Sequence, residues 1–144
     1  MENNMPQKGA MFIILRPDGT VLMQLRDAKS KFYPNMWCFP GGGCSGDEEP
    51  IDTVIREAKE EYGLNLEKST CRFLMEYQLL LPENYCPTAY IFICPIDLEQ
   101  EPILNEGVDM KWMKINEIKK IELGFEQKII IPKLEEFLRF REKV

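Results

Sequence analysis

The stretch from Gly42 to Leu64, GGCSGDEEPIDTVIREAKEEYGL, constrains the chain most strongly, because a glycine run leads directly into a short acidic helix. On a helix of 3.6 residues per turn, the apolar and aromatic side chains of this stretch fall on one stripe, namely Ile51, Val54, Ile55, Ala58 and Tyr62. This stripe predicts a buried face, and we expect the glutamates of the stretch to lie off it. The helix should therefore present carboxylates beside a glycine turn.

Two of these carboxylates, Glu57 and Glu61, are i,i+4 neighbours with Cβ atoms roughly 5–6 Å apart. Like charges at this spacing destabilise a helix unless something compensates them, and a divalent cation would do so. Mg²⁺ takes oxygen ligands and keeps several waters, so that one or two protein carboxylates and the phosphates of a substrate suffice to bind it. The alternative is a solvated acidic face, which is what most charge runs are.

The spacing of the charged and glycine residues carries a resemblance. Its fixed points are Gly42, Glu48, Arg56-Glu57-Ala58, Glu60-Glu61 and Gly63-Leu64. This pattern resembles the complete signature of the Nudix hydrolases, with every specified position filled. The resemblance extends to the five residues that precede Gly42, Trp37-Cys38-Phe39-Pro40-Gly41. In the rest of the chain only the order of predicted strands and helices resembles the family. It implies a loop–helix–loop that binds Mg²⁺ or Mn²⁺ and hydrolyses a diphosphate linked to another moiety, commonly a nucleoside.

The same resemblance implies roles for individual residues. The metal ligands it implies are Gly41, through its carbonyl, with Glu57, Glu60, Glu61 and Glu106. Glu106 lies on a loop shortly before a Trp-containing strand and is expected to supply a further ligand or the base. Glu48 and Arg56 resemble a structural ion pair in which the arginine orients the catalytic glutamate. Arg56, Glu57 and Glu106 are therefore the expected catalytic residues.

Three residues are candidates for substrate contacts. Arg26 follows the second predicted strand and resembles an arginine that several Nudix enzymes direct at the substrate phosphate, a task that suits its planar fork. Trp37 and Phe39 could stack on a base. The alternatives are a solvent-exposed Arg26 at a strand end and aromatic side chains that only pack. Trp112 is expected in the core.

Length, charge and cysteine content limit the class of protein. With 144 residues, the chain is expected to form one domain over residues 1–144. A net charge of −6 argues against binding to a nucleic-acid backbone and favours a small-molecule substrate. The five cysteines form no Cys-x-x-Cys pair, which predicts neither a zinc site nor a disulfide framework. The sequence shows no signal peptide and no long apolar run, so we expect a cytoplasmic protein without membrane partners, as a monomer or homodimer.

Strand and helix patterns frame the acidic helix. The predicted elements are a hairpin of Gly9–Leu15 and Thr20–Leu25, strands at Arg72–Leu81, Thr88–Ile96 and Val108–Met113, a helical turn at Ile115–Ile121, an acidic loop at Leu98–Gly107 and an amphipathic C-terminal helix. Pro132 either opens the last helix or kinks it. This order predicts an α/β protein. The resemblance implies a Nudix-type α/β/α sandwich with a mixed β-sheet and with the acidic stretch at one edge.

The chain contains no histidine, so the commonest general base is missing. A glutamate must act instead, either Glu57 or a loop glutamate, unless the metal ion activates water by itself. The leading hypothesis is metal-dependent hydrolysis of a nucleoside triphosphate to monophosphate and pyrophosphate. It rests on the few residues before the first strand, because family members that act on nucleotide sugars or ADP-ribose often carry an N-terminal extension.

Two alternatives remain open. One is a hydrolase of a nucleotide sugar or another nucleoside diphosphate derivative. The other is a catalytically silent nucleotide-binding module. A silent member should have lost at least one of Glu57, Glu60 and Glu61, and all three are present.

Overall fold

A computed structural model describes residues 5–97 and 99–142 of the chain. The predicted acidic loop begins at Leu98, which lies outside the described residues, and is followed from Glu99 onward. The seven strands are β1 Lys8–Leu15, β2 Val21–Leu25, β3 Trp37–Cys38, β4 Gly41–Gly43, β5 Arg72–Gln78, β6 Thr88–Pro95 and β7 Asp109–Met113. The α-helices are α1 Pro50–Tyr62, α2 Ile115–Ile118 and α3 Ile131–Glu142. Two 3₁₀ segments span Lys68–Thr70 and Gly124–Ile130.

The strands form one mixed sheet. Its order is β3-β2-β1-β6-β5, with β4 paired to β1 and β7 paired to β2. Strands β1 and β6 run parallel over their full length, whereas the other pairings are antiparallel. The parallel pair is the centre of the sheet, and most of its side chains are buried.

Alternation along β1 divides the core into two layers. Ala10, Phe12 and Ile14 face one side of the sheet, and the residues between them face the other. The first layer includes Val54 and Ala58 of α1. Helix α1 is here also called the box helix, and this layer is called the box-helix cluster. The second layer packs against the C-terminal 3₁₀ segment and α3. Helices thus cover both faces, and the predicted α/β/α sandwich with a mixed sheet is confirmed.

The predicted hairpin and C-terminal helix are both present. Leu15 pairs with Val21 across a turn in which Gly19 has φ +87° and Asp18 accepts a hydrogen bond from the Thr20 amide at 2.9 Å. Helix α3 begins at Ile131, so Pro132 lies in its first turn. Backbone N–H groups in the first turn have no acceptor within the helix, so proline costs no hydrogen bond there.

The glycine run is a strand, and its prediction as a turn was wrong. Gly41–Gly43 forms β4, and the structure gives positive φ to none of these three glycines. The need for glycine comes from close contacts. A Cβ on Gly41 would lie 2.4 Å from the carbonyl oxygen of Ala10, and one on Gly42 would lie 2.7 Å from the Glu57 carboxylate. The run thus lets the helix carboxylate approach the sheet.

Within the described residues, none of the helices has the length and apolar character needed to cross a membrane.

Candidate active site

Helix α1 is bounded by residues suited to its two ends. Pro50 stands in the first turn, where its fixed φ favours helix initiation. Gly63 closes the helix in the left-handed conformation, with φ +65°, and its amide donates to the Lys59 carbonyl at 2.9 Å. The amide of Leu64 donates to the Ala58 carbonyl at 3.1 Å. These caps fix the end of the helix that carries the glutamates.

Glu61 is buried, and the expectation that it lies off the core stripe was wrong. Its exposed fraction is 4%. The physical reason is helical geometry, because Glu61 follows Val54 by about two turns and shares its face. The Oε2 atom of Glu61 is buried and has no hydrogen-bond partner within the described part of the chain. Burial, followed by the neighbouring Glu57 and Glu106 carboxyl groups, raises the pKa of Glu61 to about 10.

Glu57 lies between the glycine strand and Arg56. Its side chain is only 15% exposed, and it packs against Gly42. Arg56 Nη1 donates to Glu57 Oε1 at 2.8 Å and to Glu60 Oε2 at 3.2 Å. Glu60 is exposed and shares the Nη1 atom of Arg56 with Glu57. Within the described part of the chain, neither of these two glutamates lines the cavity described below.

Arg56 also binds Glu48 through two atoms. Nε donates to Oε2 and Nη2 donates to Oε1, each at 2.9 Å. Glu48 Oε1 accepts further hydrogen bonds from the Thr53 hydroxyl at 2.6 Å and from the Ser45 amide at 3.1 Å. The Arg56 guanidinium, with these other donors, lowers the pKa of Glu48 to about 2. The expected ion pair is therefore part of a larger network that holds Arg56 against Glu57.

The loop that carries Glu106 is attached to the end of α1. The Asn105 amide donates to the Glu61 carbonyl at 2.9 Å, and Asn105 Nδ2 donates to the Glu60 carbonyl at 3.0 Å. Gly107 follows with φ +79°, which allows the sharp turn into β7. The structure thus brings Glu106 to Glu61, and its carboxyl group contributes to the raised pKa of Glu61.

A cavity of about 320 Å³ opens beside these groups. Its polar lining includes Gly41, Gly42, Glu61 and Glu106. Its apolar lining includes Phe32, Leu79, Leu81, Tyr85 and Phe125. A molecule that combines an anionic group with a flat or apolar group would match both kinds of lining, provided that a cation separates its charge from the carboxylates.

Arg26 lies in the wall of this cavity and is partly engaged by the protein. Its Nε donates to the Phe32 carbonyl at 2.9 Å, and its guanidinium carbon lies 4.8 Å from the centroid of the Phe125 ring. These contacts fix the direction of the side chain. The position is compatible with the predicted phosphate contact.

The two aromatic candidates occupy different places. Among the described residues, Phe39 lines the cavity and Trp37 does not. Trp37 is half-buried against the second layer of the core, next to Leu123. Phe39 is 1% exposed, which leaves almost no ring surface for a base. The predicted stacking roles are thus not supported by this arrangement, because both rings are used in packing. Trp112 packs against the box-helix cluster, as expected.

Sequence reasoning missed Gln127 as a residue that shapes the cavity. Its side chain is fully buried; Oε1 accepts from the Phe39 amide at 2.7 Å and Nε2 donates to the Phe39 carbonyl at 3.2 Å. The side-chain amide of Gln127 pairs with the Phe39 backbone as a neighbouring strand would. It thereby fixes the residues that lead into β4. The one clue in the sequence was that Gln127, a polar residue, lies shortly before the apolar run at Ile129–Ile131.

The carboxylates fit a divalent cation. Glu57, Glu61 and Glu106 offer only oxygen donors, which Mg²⁺ prefers, and the buried Oε2 of Glu61 lacks any protein donor. Within residues 5–97 and 99–142, no group of three or more histidine, cysteine, aspartate or glutamate side chains is arranged so that it could hold a metal ion by itself. Mg²⁺ does not require one, since waters and substrate phosphates complete its shell.

The similarity to known proteins agrees with this site. A profile of the NUDIX domain matches residues 5–134, most of the chain. The chain therefore belongs to the Nudix family, as its sequence pattern indicated.

Two relatives illustrate the range of the family. The chain is 26% identical over 107 residues to an isopentenyl-diphosphate Delta-isomerase of Kocuria rhizophila, which covers 69% of this chain and 57% of that protein. It is 30% identical over 93 residues to diphosphoinositol polyphosphate phosphohydrolase 2 of Mus musculus, covering 64% of this chain and 50% of the relative. The chain thus spans about half the length of these curated relatives.

The fold is also similar to that of a solved structure, a MutT NUDIX hydrolase from Burkholderia pseudomallei. The TM-score is 0.76 at 22% sequence identity, and the match covers 90% of this chain and 98% of the other.

Proposed function

We propose that the chain is a metal-dependent hydrolase that splits a nucleoside triphosphate into a monophosphate and pyrophosphate, with Mg²⁺ or Mn²⁺ as its cofactor. The observation that carries the proposal is the buried Glu61 carboxyl group, whose Oε2 lacks a partner and which lies beside Glu57 and Glu106. A buried carboxyl group that has an unpartnered oxygen and lies beside two other carboxyl groups is costly, and a cation among them would offset that cost, so the arrangement favours a cation there.

Glu57, Glu61 and Glu106 are the residues that would hold the ion. When bound, the divalent ion supplies charge neutralisation at the diphosphate. Arg56 keeps Glu57 oriented toward the glycine strand, since it donates to Glu57 and is itself held by Glu48. In a chain without histidine, Glu57 or Glu106 accepts the proton of the attacking water.

The rest of the cavity suits a nucleoside. Phe32, Tyr85 and Phe125 supply aromatic and apolar surface in the cavity lining. Arg26 lines the same cavity, where its N–H groups other than Nε can donate to a phosphate oxygen. Its cation–π contact with Phe125 holds the guanidinium in place for this task.

A second substrate class is a nucleotide sugar or another nucleoside diphosphate derivative. The names of the two relatives each specify a diphosphate compound that is not a nucleoside triphosphate, which favours a diphosphate linked to another group. A silent binding module is less favoured, since Glu57, Glu60 and Glu61 are all retained. We also place the protein in the cytoplasm, because its five cysteines are all free thiols, as in a reducing compartment.

The test is a substrate panel with product identification by mass. The purified chain is incubated with Mg²⁺ and nucleoside triphosphates, nucleotide sugars, ADP-ribose or isopentenyl diphosphate, beside the Glu57→Gln variant. We expect monophosphate and pyrophosphate from a triphosphate, and none from the variant. The proposal would be contradicted by release of inorganic phosphate alone, by turnover of nucleotide sugars alone, or by isomerisation without phosphate release.

A further inference from the structure

Two cysteines away from the cavity face each other across the sheet. Strands β5 and β6 pair antiparallel with Arg72 opposite Ile93. One step outward along the same register, Cys71 stands opposite Cys94. Cys71 has an extended backbone, with φ −80° and ψ 134°, so the strand geometry continues through it.

The two thiols lie on the same face of the sheet. In this register Phe73 is opposite Phe92, and the centroids of these two rings lie 5.7 Å apart, so directly opposed side chains on this face touch. Side chains two residues apart in a strand share a face, which places Cys71 and Cys94 beside this aromatic pair. Both cysteines indeed pack in the box-helix cluster.

The backbone at this position favours a close approach. The amide of Cys71 donates to the Lys68 carbonyl at 3.3 Å. Directly opposed residues of antiparallel strands have Cα atoms about 4.5–5.5 Å apart. That separation lies within the range of about 4.4–6.8 Å found for disulfides.

The two thiols differ in exposure and acidity. Cys71 is partly exposed, whereas Cys94 has an exposed fraction of 0%. A hydrogen bond from the Cys94 thiol lowers the pKa of Cys71, and the same contact together with burial raises the pKa of Cys94. Cys71 is therefore the thiol that an oxidant reaches, and Cys94 is the thiol that remains protonated beside it.

We infer that Cys71 and Cys94 form a redox modification site at which a peroxide makes a reversible intramolecular disulfide. Cys71 releases its proton, and the thiolate attacks one oxygen of hydrogen peroxide. The O–O bond breaks, the leaving hydroxide takes up a proton and departs as water, and Cys71 becomes a sulfenic acid. The Cys94 sulfur then attacks the Cys71 sulfur, and its proton leaves with the hydroxyl group as a second water. Two thiols are oxidised by two electrons in total, and one peroxide is reduced to two waters.

The test is a non-reducing peptide map of the whole chain. The reduced protein is treated with a small excess of hydrogen peroxide under native conditions, remaining thiols are alkylated, and the chain is cut with trypsin. Cleavage after Lys68 and Arg72 puts Cys71 on one peptide and Cys94 on another, which also contains Cys86. We expect these two peptides to be linked, with the loss of two free thiols, and to separate after dithiothreitol.

A matched control is Cys86→Ser, which removes an exposed thiol on another loop and should leave the link intact. Cys71→Ser should abolish it, with Cys94 recovered alkylated only after unfolding. The inference is overturned if Cys71 is recovered as a sulfinic acid or unmodified while Cys94 stays reduced, or if Cys94 is linked to Cys86 instead. Because Cys86 and Cys94 share one tryptic peptide, fragmentation of the linked peptides in the mass spectrometer identifies the partner of Cys71 in the unmutated chain. This readout holds whether or not the variants fold, and it does not depend on hydrolase activity.

Discussion

Arg56 and Glu48 are joined by two hydrogen bonds of equal length, Nε to Oε2 and Nη2 to Oε1, both at 2.9 Å. Planar, bidentate contacts of this kind combine charge with a fixed orientation. The remaining terminal nitrogen, Nη1, donates to Glu57 Oε1 at 2.8 Å. Glu48 thus determines the direction of Arg56, and Arg56 determines the position of a proposed metal ligand.

Arg56→Lys should therefore damage both stability and rate. Lysine carries a point charge without a fork, so it cannot hold Glu48 and Glu57 together. We expect a loss of about 1.5–3 kcal/mol in unfolding free energy, the range for hydrogen bonds to charged groups. We expect a fall of about a hundredfold in kcat from the displaced Glu57. Arg72→Lys, an exposed substitution of the same kind, is the control and should change neither quantity.

The acid stability of the protein should depend on Glu48. Its folded-state pKa is lowered to about 2 by Arg56 and the Thr53 and Ser45 donors, below the ordinary value. A lowered carboxyl pKa adds stability above the unfolded-state pKa, and this stability is lost as the pH falls toward the folded value. Urea unfolding should show Glu48→Gln less stable than the wild type near neutral pH, with the gap closing between about pH 4.5 and pH 2.

The control for this pH series is Glu49→Gln. Glu49 is exposed and makes no side-chain cap to α1. A gap for Glu48→Gln that stays constant down to pH 2 would contradict the account, as would an equal pH response of both variants.

Gly42→Ala tests the close approach of the sheet to the box helix. The new Cβ would lie 2.7 Å from the Glu57 carboxylate, so that carboxylate must move. We expect kcat to fall by about a hundredfold, because small displacements of positioned groups have effects of that size. Gly9→Ala on β1 is the control, since its Cβ would lie 3.4 Å from its nearest neighbour, the Gly42 carbonyl oxygen. Equal rates for both variants would show that Glu57 need not occupy its present position.

Comparison of Glu106→Gln with Glu101→Gln tests whether Glu106 takes part in the reaction or is only a solvated surface residue. Glu106 lies at Glu61 because Asn105 ties its loop to α1, whereas Glu101 is exposed and contacts Arg16 at 3.6 Å. We expect Glu106→Gln to lower kcat by about a hundredfold or more, as for loss of a positioned base, and Glu101→Gln to leave it unchanged. Rates measured across pH and Mg²⁺ concentration provide the comparison. If the two variants behave alike, Glu106 has no role in the reaction.

Much of the fold could be predicted from periodicity and turn residues. The hairpin around Gly19, the buried strand at Thr88–Pro95 and the acidic helix each show a local pattern that tertiary contacts reinforce. The charged members of the site were also recognisable, because their spacing along the chain is itself the pattern. The structure then places Glu48 against Arg56 and Glu106 against Glu61.

What could not be predicted depends on contacts between distant segments. Gly41–Gly43 pairs with β1 as a strand, although three glycines carry no strand propensity. Gln127 binds the backbone of Phe39 from the far end of the chain. The burial of Glu61 was available from helical geometry, but a charged side chain on a core stripe goes against the usual distribution of residues. Buried polar groups that serve a site are where a hydrophobicity pattern fails.

The most direct test of the account is Mn²⁺ binding by the wild type and Glu61→Gln, measured without nucleotide from the free-ion signal in electron paramagnetic resonance. If the unpaired Oε2 of Glu61 is a metal ligand, the variant should bind Mn²⁺ about tenfold more weakly or worse, while Glu49→Gln binds like the wild type. Glu61→Gln should also melt no lower than the wild type in metal-free buffer, because it removes a buried carboxyl group that lies beside two others. Equal Mn²⁺ affinity of wild type and Glu61→Gln would contradict the metal site and with it the proposed reaction.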